Sequence, residues 1–297
     1  MNKRTEAHLA LLFTNLFFAI NLSAVKFLTN HAFIQPFGLN LIRVGVSVIL
    51  FWILFLFKPG EAGIKKKDIG AFVLCAITGV AINQLLFVKG LSMTYPIHAS
   101  LLMLTTPLFI TFIAAWLLKE TPSLPKFIGL GLGITGALLL ILNKGVDAKG
   151  QDVLLGNIFI ITNAISYSFY FVLVKPLMQR YHPIHIIRWI FTLGFFMVLP
   201  FGWQEFTDIA WQQLNVLAYG NLAMIVIGGT FLAYLFNAYG IKVLGSATAG
   251  TYIYTQPVMA AIIAMLFLGE QLSFYKVVAA ILIFAGLLIS NKSSFNA

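Results

Sequence analysis

The sequence predicts an all-α integral membrane protein, with ten transmembrane helices in two inverted five-helix repeats. Three observations lead there. The 297 residues are 60% hydrophobic and only 9% charged, with a mean hydropathy of +0.94; soluble domains carry roughly 25% charged residues. Apolar windows of about 20 residues, the length that crosses a hydrocarbon core, follow one another along the whole chain. Finally, the chain repeats itself at an offset of 150. Gly79, Gly90, Thr105, Pro107, Leu118, Glu120, Lys126 and Gly136 recur without a gap as Gly229, Gly240, Thr255, Pro257, Leu268, Glu270, Lys276 and Gly286.

The first span is read over 8–28, after Lys3 and Arg4. Its apolar run is long enough to cross a bilayer and has a counterpart in the second half, so it is taken as a permanent helix rather than a cleaved leader. The next four are read over 36–57, 69–90, 95–118 and 125–142. The second set is read over 154–175, 183–202, 214–240, 246–268 and 273–290. Continuous rather than alternating apolar runs disfavour a β-barrel. Lys26 and Lys175 close spans one and six, while Arg43 and Arg188 stand early in spans two and seven, so the repeat takes in five helices. The repeats are placed at 1–145 and 150–297.

Five is odd, so the second copy enters the membrane from the opposite side. On the side holding both termini fall Lys3, Arg4, Lys58, Lys65, Lys66, Lys67, Lys119, Lys126, Lys175, Arg180, Lys242 and Lys292. The other side has Lys26, Lys89, Lys144, Lys149 and Lys276. Twelve bases against five put both termini in the cytoplasm by the positive-inside rule.

Several function classes are disfavoured. The net charge of +10 is scattered through short connections and does not form a patch, so nucleic acid is not an expected partner. One cysteine, Cys75, allows no intrachain disulfide. His182 and His185 lack a third ligand for zinc, so neither a metal nor a cofactor is expected. No nucleophile–base pair stands at membrane depth, so no catalytic residue is assigned. The Gly129–Gly136 stretch imitates a nucleotide fingerprint, but no strand precedes it. Gly129 and Gly133 instead make a small-residue face for close helix packing, which would also suit a homodimer.

Pro107 and Pro257 sit near the middle of their helices. Each withholds an N–H from the carbonyl four residues earlier, that of Met103 or Ile253, and the pair is read as symmetric hinges. Glu120 and Glu270 end spans four and nine; a favourable interaction with the next helix N-terminus is preferred to a proton-binding role. All nine acids map to loops or span ends, which argues against a buried acidic relay. Arg43, Lys89 and Arg188 fit either interfacial anchors or a positive wall for a carboxylate-bearing solute. Polar and aromatic groups gather on spans one, three, four, six, eight and nine. From them Asn21, Gln84, His98, Thr106, Tyr167, Asn237, Tyr252 and Gln256 are taken as substrate-binding candidates, with His98 read chiefly as a cavity-mouth or packing residue.

The ordered set Pro107 through Leu118-Lys119-Glu120 and Pro257 through Leu268-Gly269-Glu270, with Lys26/Lys175 and Arg43/Arg188, resembles the EamA-type exporters of the drug/metabolite transporter superfamily. Lys119, standing where the second copy has Gly269, departs from the usual pattern. The resemblance implies a plasma-membrane carrier for amino acids or other small metabolites, the cell inner membrane in a bacterium. Export by alternating access is favoured. A phosphorylated-sugar or nucleotide-sugar exchanger of the same superfamily is the alternative, with a receptor or scaffold as the reading outside transport.

Overall fold

A computed structural model describes residues 2–57, 63–118, 124–142, 152–244, 252–253 and 255–292, and among these there is no strand. Among the described residues ten long helices follow in order: α1 Lys3–Asn30, α2 Pro36–Phe57, α3 Lys66–Met93, α4 Pro96–Leu117 and α5 Leu124–Leu142. The second set is α6 Val153–Met178, α7 Pro183–Thr207, α8 Val216–Gly240, α9 Thr255–Leu268 and α10 Phe274–Lys292. Seven are long and apolar enough to cross a membrane, and α5, α9 and α10 hold shorter apolar stretches. Glu120 and Lys119 lie outside the described residues.

Short polar side chains start several helices. The Asn2 Oδ1 accepts from the Arg4 N–H, Asp152 from Leu155 at 3.0 Å, and Asn215 from Ala218 at 2.8 Å. Proline opens α4 and α7 at Pro96 and Pro183, where no N–H is needed. Helix α7 runs five residues past its expected end, through Pro200 to Thr207. Near its end Glu205 accepts from the Phe37 and Gly38 N–H groups at 2.6 and 2.9 Å, tying α7 to the start of α2.

Antiparallel succession puts the start of α1 and the end of α10 at one end of the bundle, here the terminal end; the other is the distal end. The most extensive pairings are α5 with α10, α2 with α7, α3 with α6 and α1 with α8. Exchanging each helix for its mate five places on maps this set onto itself, the signature of the internal two-fold. The glycine face of α5 is taken up inside the chain: a Cβ on Gly286 would stand 2.5 Å from the Gly129 carbonyl oxygen and 3.0 Å from the Gly133 nitrogen.

Three helices (α1, α8, α9) form one group and three (α3, α4, α6) the other. They meet mainly through their distal halves, where α1 and α9 pack on Pro96–Met103 of α4 and α1 on Ile82–Met93 of α3. Apolar side chains at 1% exposure or less, Leu22, Val25, Leu28, Leu91, Ile97 and Leu102, fill that contact.

Candidate functional site

At mid-length, α3 and α8 leave α-geometry at equivalent places. Residues Ile77–Ala81 and Met224–Leu232 form π-turns, each widening its helix by an inserted residue. Each π-turn presents a repeated glycine to the opposing helix of its own group. A Cβ on Gly229 would lie 2.6 Å from the Asn21 Oδ1 of α1, and one on Gly79 would lie 2.6 Å from the Tyr170 ring of α6. Asn21 and Tyr170 are themselves repeat mates, at the offset that relates Lys26 to Lys175. The two halves thus bring different chemistry to matching positions: an amide on one side, a phenol on the other.

Between these turns lies a polar cluster. Asn21 and Gln84 are 2% and 1% exposed, and the Asn21 Oδ1 and both amide atoms of Gln84 lack a hydrogen-bond partner among the described residues. Gln84 faces the Tyr234 hydroxyl of α8, and Tyr167 and Tyr170 stand within electrostatic reach of the same ring. Tyr167 and Tyr170 pack together with ring centroids 5.5 Å apart. From α2, Arg43 reaches in and donates its Nε–H to the Thr230 Oγ1 at 2.8 Å. The Thr230 hydroxyl in turn donates to the Ile225 carbonyl at 2.9 Å, the five-residue reach that a π-turn opens.

Other candidates stand apart from this cluster. His98, fully buried, sits at the distal end: the Asn157 amide donates to its Nδ1 at 3.3 Å and its Nε2 lies 3.3 Å from the Tyr275 hydroxyl. It ties α4 to α6 and α10. Tyr252 is at the terminal end, its hydroxyl 2.7 Å from His8 Nδ1. Asn237 is half-buried on α8, one turn beyond Tyr234. Gln256 is buried beside Pro257, and Thr106 is engaged through its carbonyl, which accepts from the Ser168 hydroxyl at 3.1 Å.

Both prolines sit at breaks. In α4 the chain turns at Leu104–Thr105, and the Thr105 hydroxyl closes on the Leu102 carbonyl at 2.6 Å. Its mate Thr255 closes on the Tyr252 carbonyl at 2.7 Å. The Ile253 carbonyl, expected to be orphaned, instead accepts from the Gln256 N–H at 3.2 Å.

The distal end carries a charged network. Gly269, at φ +68°, ends α9 in the left-handed conformation that suits glycine and delivers Glu270. That side chain is 7% exposed, 3.9 Å from the Lys276 Nζ, and accepts from the Ile97 N–H at 3.4 Å. Burial pushes its carboxyl up to about 7, opposed by Lys276, the Ile97 amide and Lys26. Glu270, read as a partner of the next helix, is enclosed: it faces Lys276 of α10 and also accepts from the first turn of α4 in the other half. Lys26, buried, donates to the Ser92 carbonyl at 3.0 Å and joins α1 to α3, while its mate Lys175 is exposed at the terminal end.

Sequence reasoning did not single out Thr230, and it left Arg43 undecided between anchor and cavity wall. The repeated glycines at the π-turns were the available signal. Asn83 and Asn163, also polar and central, bond each other's carbonyls across α3 and α6 at 3.4 and 2.6 Å and serve packing.

Comparison with known proteins agrees with this architecture. The model of the EamA-like transporter family matches residues 5–142 and 154–292. The chain is 23% identical to the uncharacterized transporter YetK of Bacillus subtilis, over 82% of this chain and 74% of that one. It is 23% identical to an uncharacterized transporter of Archaeoglobus fulgidus over 98% of both chains. A WAT1-related protein of Arabidopsis thaliana is also 23% identical, over 96% of this chain and 85% of its own. A crystal structure sharing 16% identity superimposes over 98% of this chain and 99% of its own with a TM-score of 0.62, a likeness of fold. Two family matches covering both five-helix halves place the chain in the EamA-like transporter family, a membrane transporter of the drug/metabolite transporter superfamily.

Proposed function

We propose that this chain moves small metabolites, amino acids or related compounds, across the plasma membrane by alternating access, with export the favoured direction and both termini in the cytoplasm. The observation that carries the reading is the mid-depth cluster of polar atoms without partners on α1 and α3, flanked by two symmetric π-turns. Buried amides left unbonded destabilise a fold by about 1–3 kcal/mol each. Their retention makes sense where a solute completes them.

The ends support the same reading. The two helix groups pack at the distal end, around Glu270, Lys26 and His98, and the terminal end presents an exposed Lys175 where the distal end has a buried Lys26. In an inverted repeat the opposite state exchanges these roles. With the termini inside, the present arrangement would admit solute from the cytoplasm, which suits export.

The test is efflux and uptake by the purified protein in proteoliposomes loaded with labelled amino acids, with and without a proton gradient. Saturable, gradient-independent exchange of a subset is expected. No movement of any labelled compound would contradict the reading.

A further inference from the structure

We propose that Arg43 is the carboxylate anchor of the transported solute, so that the cargo carries a free carboxylate and a single guanidinium recognises it. This rests on the central cluster being the transport site. Arg43 is 4% exposed, so it does not snorkel to a membrane surface. Two contacts fix its plane: the Nε–H on Thr230 at 2.8 Å and the Phe87 ring 5.5 Å from the guanidinium carbon. The Thr230 hydroxyl proton is committed to the Ile225 carbonyl, so its oxygen is aimed at Arg43. One terminal nitrogen, Nη1, then has no hydrogen-bond partner among the described residues, although it is buried.

A guanidinium cannot shed its proton to escape this position. A buried cation without a counter-charge is unfavourable. Among the described residues no carboxylate pairs with Arg43; Arg180 pairs with Asp68 and Lys276 with Glu270, both at helix ends. A carboxylate brought by the solute would supply the counter-charge. Gln84, whose amide nitrogen is also unbonded, and the Tyr234 hydroxyl beside it are further donors for the same group. The Asn21 Oδ1, equally unbonded, is a neutral acceptor that fits the ammonium of an α-amino acid.

The repeat provides an internal control. Arg188, the mate of Arg43, stacks on Phe55 at 3.7 Å and Trp52 at 4.6 Å, with one terminal nitrogen 3.0 Å from the His185 Nδ1. That is an aromatic anchor between α2 and α7. Arg43 instead reaches the π-turn of α8. A phosphate ester, with its second negative charge, would call for a second base beside Arg43.

The experiment uses full-length protein in proteoliposomes and a panel of labelled amino acids, each beside its carboxamide and its decarboxylated amine. Counterflow is measured for wild type, Arg43→Gln, Arg43→Lys and Arg188→Gln. Wild type is expected to move the acids and to discriminate against their carboxamides by about tenfold or more. Arg43→Gln should lose that discrimination, Arg43→Lys should retain part of it, and Arg188→Gln should keep it at whatever total rate it shows. If Arg43→Gln does not reach the membrane, the acid-to-amide ratio of wild type decides. Equal movement of acids and carboxamides overturns the anchor while leaving the transport reading intact. Failure of wild type to move anything overturns the reading beneath it.

Discussion

Tyr170 covers Gly79 so closely that a Cβ on the glycine would stand 2.6 Å from the ring, and Asn21 covers Gly229 at the same 2.6 Å. The two contacts are related by the internal repeat, and each seats a polar side chain of α1 or α6 on the π-turn of its neighbour. Gly229→Ala should therefore destabilise the protein by about 1–3 kcal/mol through overpacking and displace Asn21 from the cluster. Thermal unfolding in detergent checks the first, and counterflow should fall with it. Adding Asn21→Ser should recover the melting temperature without restoring transport. Recovery of both would remove Asn21 from the site.

Pro257→Ala restores an N–H in the first turn of α9. Because Thr255 already holds the Tyr252 carbonyl at 2.7 Å, the variant should fold and reach the membrane. Loss of the proline should slow transport severalfold. Thr255→Val removes the hydroxyl instead and should lower stability by about 1 kcal/mol. A Pro257→Ala protein transporting at full rate would leave the proline a packing feature.

Glu270 gives the distal seal a pH dependence. Its carboxyl sits at about 7 in the sealed form, against an ordinary 4.5, because burial raises it more than Lys276, the Ile97 amide and Lys26 lower it. On opening it would return to water and its ordinary value. The sealed form therefore binds the proton more tightly, and protonation favours sealing. That preference is fully present below about 4.5 and is lost as pH rises toward about 7, levelling off above it. Distal opening, followed by spin-label distances, should increase through this window. Glu270→Gln should make the profile flat, and an unchanged profile in that variant would place the titration elsewhere.

Asn157 is predicted to matter for stability and not for selectivity. Its Oδ1 accepts from the Thr94 hydroxyl at 2.5 Å, and its amide nitrogen donates to His98 at 3.3 Å and to the Leu140 carbonyl at 3.2 Å. Asn157→Ala should lower stability by about 2–3 kcal/mol and leave the order of preferred solutes unchanged. A reordered preference would bring His98 and Asn157 into the solute path.

The fold was legible because lipid imposes length and continuity on apolar segments, and a repeat of odd helix number dictates inversion. Helix α7 outran its expected end because Glu205 holds its last turns to the start of α2. The site was legible only in part. Asn21, Gln84 and Tyr167, picked out because polar groups in hydrocarbon stand out, lie in the central cluster. Thr230 was not picked out, since a threonine is unremarkable until the π-turn aims its hydroxyl at Arg43. His98 and Tyr252 carry the same kind of polarity as the central residues, and only three-dimensional pairing separates them from the centre.

The central claim is that two inverted helix groups rock about a mid-depth site, closing one end as the other opens. The direct measurement is a pair of spin-label distances in a Cys75→Ser background. One pair, at exposed positions Thr5 and Met178, spans the terminal end; the other, at exposed positions Leu154 and Leu272, spans the distal end. Addition of a transported amino acid, or a shift of pH across the Glu270 window, should lengthen one distance as it shortens the other. Fixed distances at both ends, or two distances that move together, would contradict the account.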